Sequence, residues 1–213
     1  MNIFVKMTFV CALMMVILSG WAVAQQPMEV HSIGEQQWAS RNLDVITFRN
    51  GDSIPEVRSE KEWKRAAKAG RPAWCYYENN QENGTHYGKL YNWFAVNDPR
   101  GLAPEGWHIP SQPEIHEVVK YLDNHYGKVE EVDSLFEAGR IHTNEDSFHA
   151  FQGGFRLTNG SFHDSGKYGF WWGTTCYMST HSWLKHMRTG SGFKAFNLFY
   201  HGDGYSVRCI KDQ

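Results

Sequence analysis

The sequence predicts an α+β fold: two helices set among short, loop-rich antiparallel strands. Three observations carry this. Two segments open with a side chain able to cap a helix and continue with apolar residues at helical spacing. The remainder breaks into brief aromatic or β-branched runs. Glycine punctuates those runs, and Asn159-Gly160 sits between two of them, a dipeptide suited to a tight hairpin turn.

The first 24 residues read as a targeting segment. Lys6 supplies a positive start, Val10 to Leu18 are apolar, and Ala22-Val23-Ala24 has the small-x-small form of a cleavage site. The apolar run is shorter than the roughly 20 residues a spanning helix needs. Residues 25–213 are therefore expected to form a single exported domain, with no membrane insertion once the leader is removed.

The first helix is expected after Ser59-Glu60-Lys61-Glu62, a capping box, with Trp63, Ala66 and Ala67 on its apolar side and Gly70 and Pro72 as its stop. Trp74 to Tyr77 reads as a strand, and Leu90 to Val96 as a strand or a short helix. The second helix follows Ser111-Gln112-Pro113-Glu114. Ile115, Val118, Val119 and Leu122 give it one apolar face, and Gly127 ends it. Further strands are expected at Phe155 to Thr158, Ser161 to His163, Tyr168 to Thr175, Phe193 to Tyr200 and Tyr205 to Ile210.

The chain of 213 residues has 21 Lys+Arg against 23 Asp+Glu, a net charge of −2. It shows no block of like charge and no basic stripe, which argues against nucleic acid or an anionic membrane as partner. Aromatic residues make up 15%, with nine Trp. Buried rings supply much of the core area in a small loop-rich domain, and exposed rings could stack on sugars.

Eleven histidines give no pair at the spacing of a strong zinc motif. The closest spacings are His181 with His186, His142 with His149 and His108 with His116. His108 is expected to be a hydrogen-bonded structural residue. The oxygen-rich run Glu78 to Gly84 could offer calcium ligands, but it lacks EF-hand spacing and reads as a solvated turn. His201 to Gly204 reads as another turn. No nucleophile elbow, paired-carboxylate motif or phosphate loop is present.

Tyr87-Gly88-Lys89-Leu90-Tyr91-Asn92-Trp93, followed by Gly106-Trp107-His108-Ile109-Pro110-Ser111 at a helix start, closely resembles the centre of the Fibrobacter succinogenes major paralogous domain family. Upstream blocks follow the family's order at Trp38, Asn42-Leu43-Asp44, Phe48, Gly51-Asp52, Ile54 to Val57 and Pro72 to Tyr77. Downstream blocks do so at Gly153 to Arg156, Gly169 to Trp172 and Ser206 to Asp212. Gln152 departs from a usual Pro, Gly173-Thr174-Thr175 replaces a Ser/Thr run, and Asn124 to Ser147 matches poorly.

The resemblance implies a fold related to C-type lectins and to the formylglycine-generating enzyme. The calcium-lectin motifs Glu-Pro-Asn, Gln-Pro-Asp and Trp-Asn-Asp are absent, so that sugar site does not transfer. Three cysteines follow the leader, and by sequence any two could pair. Cys75 and Cys209 fall in matching blocks whereas Cys176 does not, so the resemblance favours a Cys75–Cys209 bridge. Three buried thiols is the competing reading.

The expectation for function is a non-catalytic, secreted or cell-surface lectin-like domain that binds a polysaccharide or a surface protein without an obligatory cofactor. Tyr168, Trp172, Trp183, Tyr200 and His201, in the Gly-rich C-terminal half, are the candidate ligand contacts. A metal- or oxygen-dependent enzyme of the formylglycine-generating type is the alternative, and a structural subunit is a third.

Overall fold

A computed structural model describes residues 28–126, 153–178, 181–188 and 192–213. Both capping boxes form. In α1 (Glu60–Lys68) the Ser59 hydroxyl oxygen accepts from Glu62 N–H, and the hydroxyl donates to the Glu62 carboxylate at 2.7 Å. The box at Ser111 runs one way: its N–H and hydroxyl both donate to Glu114 Oε2, at 2.7 and 2.6 Å. The longer helix that follows, Gln112–Tyr126, buries Ile115 and Val118. Gly127, its expected stop, lies outside the described residues.

The structure adds one short helix that the sequence did not announce. The run read as a solvated turn holds α2 (Gln81–Tyr87), which follows a single 3-10 turn. Asn80 caps it by accepting from Glu82 N–H at 3.0 Å. The oxygens that could have met a cation are thus partly spent on the backbone. After Leu90–Asn92 the chain turns at once into α3 (Trp93–Val96), capped by Asn92. Both readings of that segment are therefore present in succession. The helix at Gln112–Tyr126 becomes α4.

Two sheets, predominantly antiparallel, organise the strands. The strands in chain order are β1 (Val30–Ile33), β2 (Gln36–Ala39), β3 (Trp74–Cys75), β4 (Leu90–Asn92), β5 (Trp107–His108), β6 (Gly153–Arg156) and β7 (Phe162–Ser165). They continue with β8 (Tyr168–Met178), β9 (His181–Arg188), β10 (Gly192–Tyr200), β11 (Gly204–Tyr205) and β12 (Ile210–Lys211). The small sheet runs β1-β2-β12-β5. The large one runs β10-β9-β8-β6-β11-β4-β3, with β7 on β6. The Asn159-Gly160 turn joins β6 to β7, with Arg156 opposite Phe162. Trp183 lies in β9.

Three apolar clusters hold these layers. The main one gathers Trp74, Tyr91, Trp93, Phe170, Trp172 and Tyr205 with Leu43, Phe48 and Val207. Trp172 meets the Tyr205 ring edge-on at 4.9 Å and lies 5.4 Å from Trp93. A second cluster seals α4 to the small sheet through Ile33, Trp38, Ile115, Val118 and Ile210. A third lies beneath α1 and contains Trp63, Ala66, Cys75 and Leu90. Trp107 is only half-buried and packs at the edge of the main cluster.

The expected Cys75–Cys209 bridge is not formed; both are free, buried thiols. Cys75 belongs to the cluster under α1 and Cys209 to the main cluster. Backbone pairing ties the chain ends together instead. Trp38 of β2 faces Ile210 of β12, and Ala39 N–H donates to the Cys209 carbonyl at 2.9 Å. Burial pushes each thiol up to about 12, so both stay protonated and unreactive at neutral pH. The side chain of Cys176 lies outside the described residues.

Candidate functional site

Many of the residues that carry the family blocks turn inward. Asn42 Oδ1 accepts from Trp171 Nε1 at 2.8 Å and from Arg208 Nε and Nη2 at 3.1 and 2.9 Å, while its Nδ2 donates to the Tyr87 carbonyl at 2.9 Å. Arg208 is 2% exposed. Burial pulls it down to about 9, which still leaves it charged at pH 7. Lys89 pairs with Asp44 and lies over the rings of Trp74 and Tyr76, at 4.6 and 4.8 Å. Arg156 donates to the carbonyls of Val57, Arg58 and Gly160 and is sandwiched between Trp63 and Phe162. Desolvated cations satisfied in this way brace a scaffold, with no face left for a ligand.

His108 is hydrogen-bonded, as expected. Its Nδ1 is 2.6 Å from Asp212 and its Nε2 is 2.8 Å from Glu114. It thereby links the last residues to the start of α4. Burial alone would lower its pKa, but the two carboxylates outweigh that and raise it. The Ser111 hydroxyl is engaged by Glu114, so the group is a capping device that recruits a histidine rather than an activated nucleophile.

The five candidate ligand residues separate on the fold. Trp172 is 0% exposed, and its indole N–H donates to the Tyr91 carbonyl at 2.8 Å, so no ring face meets solvent. His201 is buried and stacks on Trp93 at 5.2 Å. Both were expected at the surface. Tyr168 opens β8 opposite Arg188, whereas Tyr200 closes β10 opposite His181, so these two lie at opposite ends of β9. Trp183 pairs with Leu198, two residues from Tyr200 along β10, which puts it next to the His181–Tyr200 pair. The side chains of Tyr168 and Trp183 lie outside the described residues. Tyr200 is 61% exposed. Tyr200 is thus the exposed member among the described side chains, with Trp183 two positions away on the neighbouring strand β9.

The turn after Tyr200 is fixed firmly. Asp203 N–H donates to the Tyr200 carbonyl at 2.9 Å, and the Asp203 carboxylate accepts from Thr158 N–H, the Thr158 hydroxyl and the Tyr205 hydroxyl. Burial raises the Asp203 pKa, and these donors only partly offset it. Gly202 packs so close to α1 that a Cβ there would lie 2.6 Å from the Ala67 methyl. Gly160, at φ +96°, likewise touches the start of α1, with a Cβ position 2.7 Å from Glu60 Cα. Two turns of the large sheet therefore support α1 from beneath, and one of them carries Tyr200.

Above those turns α1 buries Trp63 and Ala66 and turns Lys61, Lys64, Arg65 and Lys68 outward. With Glu60 they line an open depression of about 600 Å³. This basic face was missed in the sequence. Its cations are spaced three and four apart, so they form a stripe on a helix without forming a run in the chain. The signal was the phase opposite Trp63 and Ala66. Among the described residues, no group of three or more His, Cys, Asp or Glu could hold a metal ion, and no helix is long and apolar enough to cross a membrane.

Fold and surface together define a mixed α/β domain of two sheets whose signature residues are internal supports. The chain belongs to the Fibrobacter succinogenes major domain family, whose model matches residues 32–211. No curated protein and no solved structure gives a significant match.

Proposed function

We propose that this protein is an exported ligand-binding domain of C-type-lectin-like architecture that holds a polysaccharide or a surface protein. The observation that carries the reading is Tyr200: a large aromatic side chain, 61% exposed, on a turn that Asp203 and Gly202 immobilise. A rigid exposed ring, with Trp183 two pairs of residues from it, suits stacking on a sugar face. The leader-like residues 1–24 support export. The alternative of thiol-based oxidation draws no support from Cys75 and Cys209, since a reactive cysteine needs an accessible thiolate.

A glycan array on the mature chain, run with and without a calcium chelator, tests the reading. The expected result is binding to a defined set of glycans that Tyr200→Ala weakens without changing the melting temperature. Absence of binding to every glycan and every surface protein tried would refute it.

A further inference from the structure

The outward face of α1 carries four cations in a helix of nine residues, about 13 Å long. Their arrangement sets like charges side by side, offset only in part by Glu60 four residues before Lys64 and Glu62 three before Arg65. Lys61 with Arg65 and Lys64 with Lys68 are like charges four apart, and Lys61 with Lys64 and Arg65 with Lys68 are like charges three apart. The helix dipole favours Arg65 and Lys68 near the C-terminus but opposes Lys61 in the first turn. Among the described residues, none of the four forms an ion pair. The other guanidinium and ammonium groups described above, Arg156, Arg208 and Lys89, are each spent on internal bonds. The charge of α1 is thus held outward, on a helix that the turn carrying Tyr200 supports from beneath.

We infer that this face of α1 binds an anionic polysaccharide, laid along the helix with its carboxylate or sulfate groups over Lys61, Lys64, Arg65 and Lys68. The inference rests on the reading of the protein as a glycan binder and narrows its ligand. Lys61, the adjacent Lys64 and Arg65, and Lys68 form three levels about 4.5–6 Å apart along the helix axis, close to the length of one sugar in an extended chain. The strip is short and the whole chain carries −2, so it offers a rigid duplex only a brief run of cations. The apolar residues Trp63 and Ala66 face inward, so the helix has no apolar side to sink into a bilayer. A flexible acidic chain with a ring to stack on Tyr200 satisfies both the charge and the aromatic edge.

The test uses the mature chain and four probes at one ionic strength: polygalacturonate, dextran sulfate, neutral dextran and duplex DNA. The wild type is expected to bind one or both acidic polysaccharides, more weakly as salt rises. A variant carrying Lys61→Gln, Lys64→Gln and Lys68→Gln should bind at least about tenfold more weakly, with an unchanged circular dichroism spectrum and melting temperature. The matching triple Lys→Arg variant, and Lys120→Gln on α4, should bind like wild type. Undiminished binding by the Gln variant would overturn the inference, as would a preference for duplex DNA. Binding only to neutral dextran, or to none of the four probes, would remove it; the glycan-binding reading itself stands or falls on the glycan array.

Discussion

The interior around Asn42 and the outer face of α1 both concentrate polar and charged groups, and they use them in opposite ways. Around Asn42, Arg208 and Trp171 converge on one amide oxygen, and nearby Lys89 is enclosed by Asp44, Trp74 and Tyr76. Each group there has lost water and gained a fixed protein partner. On α1 the cations keep their water and point away from the fold. The difference teaches that the blocks by which the family is recognised mark how the domain is built. The surface available to a ligand lies where those blocks are silent.

The sharpest division between the two regions should come from aromatic deletions. Trp172→Ala removes a fully buried ring from the main cluster and should cost roughly 3–5 kcal/mol, read from urea melts. Tyr200→Ala should stay within about 0.5 kcal/mol of wild type and alter binding alone. Equal destabilisation by the two would erase the distinction. Asn42→Ala takes an acceptor from Arg208 and Trp171 in a buried site and should cost about 3 kcal/mol. A cost near zero would mean that the network is not holding the frame.

The cysteines sharpen the comparison further. Alkylation without reductant should leave Cys75 and Cys209 unmodified in the folded protein and modify both after denaturation. Cys75→Ser, which buries a hydroxyl under α1, should cost about 1–3 kcal/mol. Peptide mapping that found the two linked would restore the bridge.

The smallest effect is expected at the edge between the regions, where His108 joins Asp212 to Glu114. The folded state raises His108 above its ordinary value near 6.5. Its contribution is therefore complete below that value and fades as pH rises through the raised one. Glu114 is lowered: burial would raise it, but Ser111 and His108 outweigh burial. Its contribution is present above the ordinary carboxylate value and lost as pH falls through the lowered one. The clamp should thus be tightest in mildly acidic solution. His108→Asn should cost under about 1 kcal/mol at these partly exposed sites, with the gap to wild type closing in alkaline melts.

Much of the fold was legible because it rests on local rules. Ser59 and Glu62, Ser111 and Glu114, and Asn159 with Gly160 each specify a short piece of backbone by themselves. The helix at Gln81–Tyr87 was hidden because its cap and its polar length look like a turn, and because its stability comes from packing rather than propensity. The candidate site was less legible. Whether Trp172 or Tyr200 meets solvent depends on which strand lies beside it, a non-local fact. The bridge drawn between Cys75 and Cys209 failed for a similar reason. Membership of two matching blocks does not place two thiols in one cluster.

The meeting of β2 with β12 sets the order in which the domain can become itself. Trp38 has no strand beside it on that edge until Ile210 exists, and the Asn42 amide waits for Arg208. Contacts between the two ends of a chain are the slowest to close. A growing chain that stops short of Tyr205 lacks the strand through which β2 and β5 share one sheet, and lacks Tyr205 and Val207 from the main cluster. The domain therefore stays open until its final residues arrive, and then closes at both ends at once.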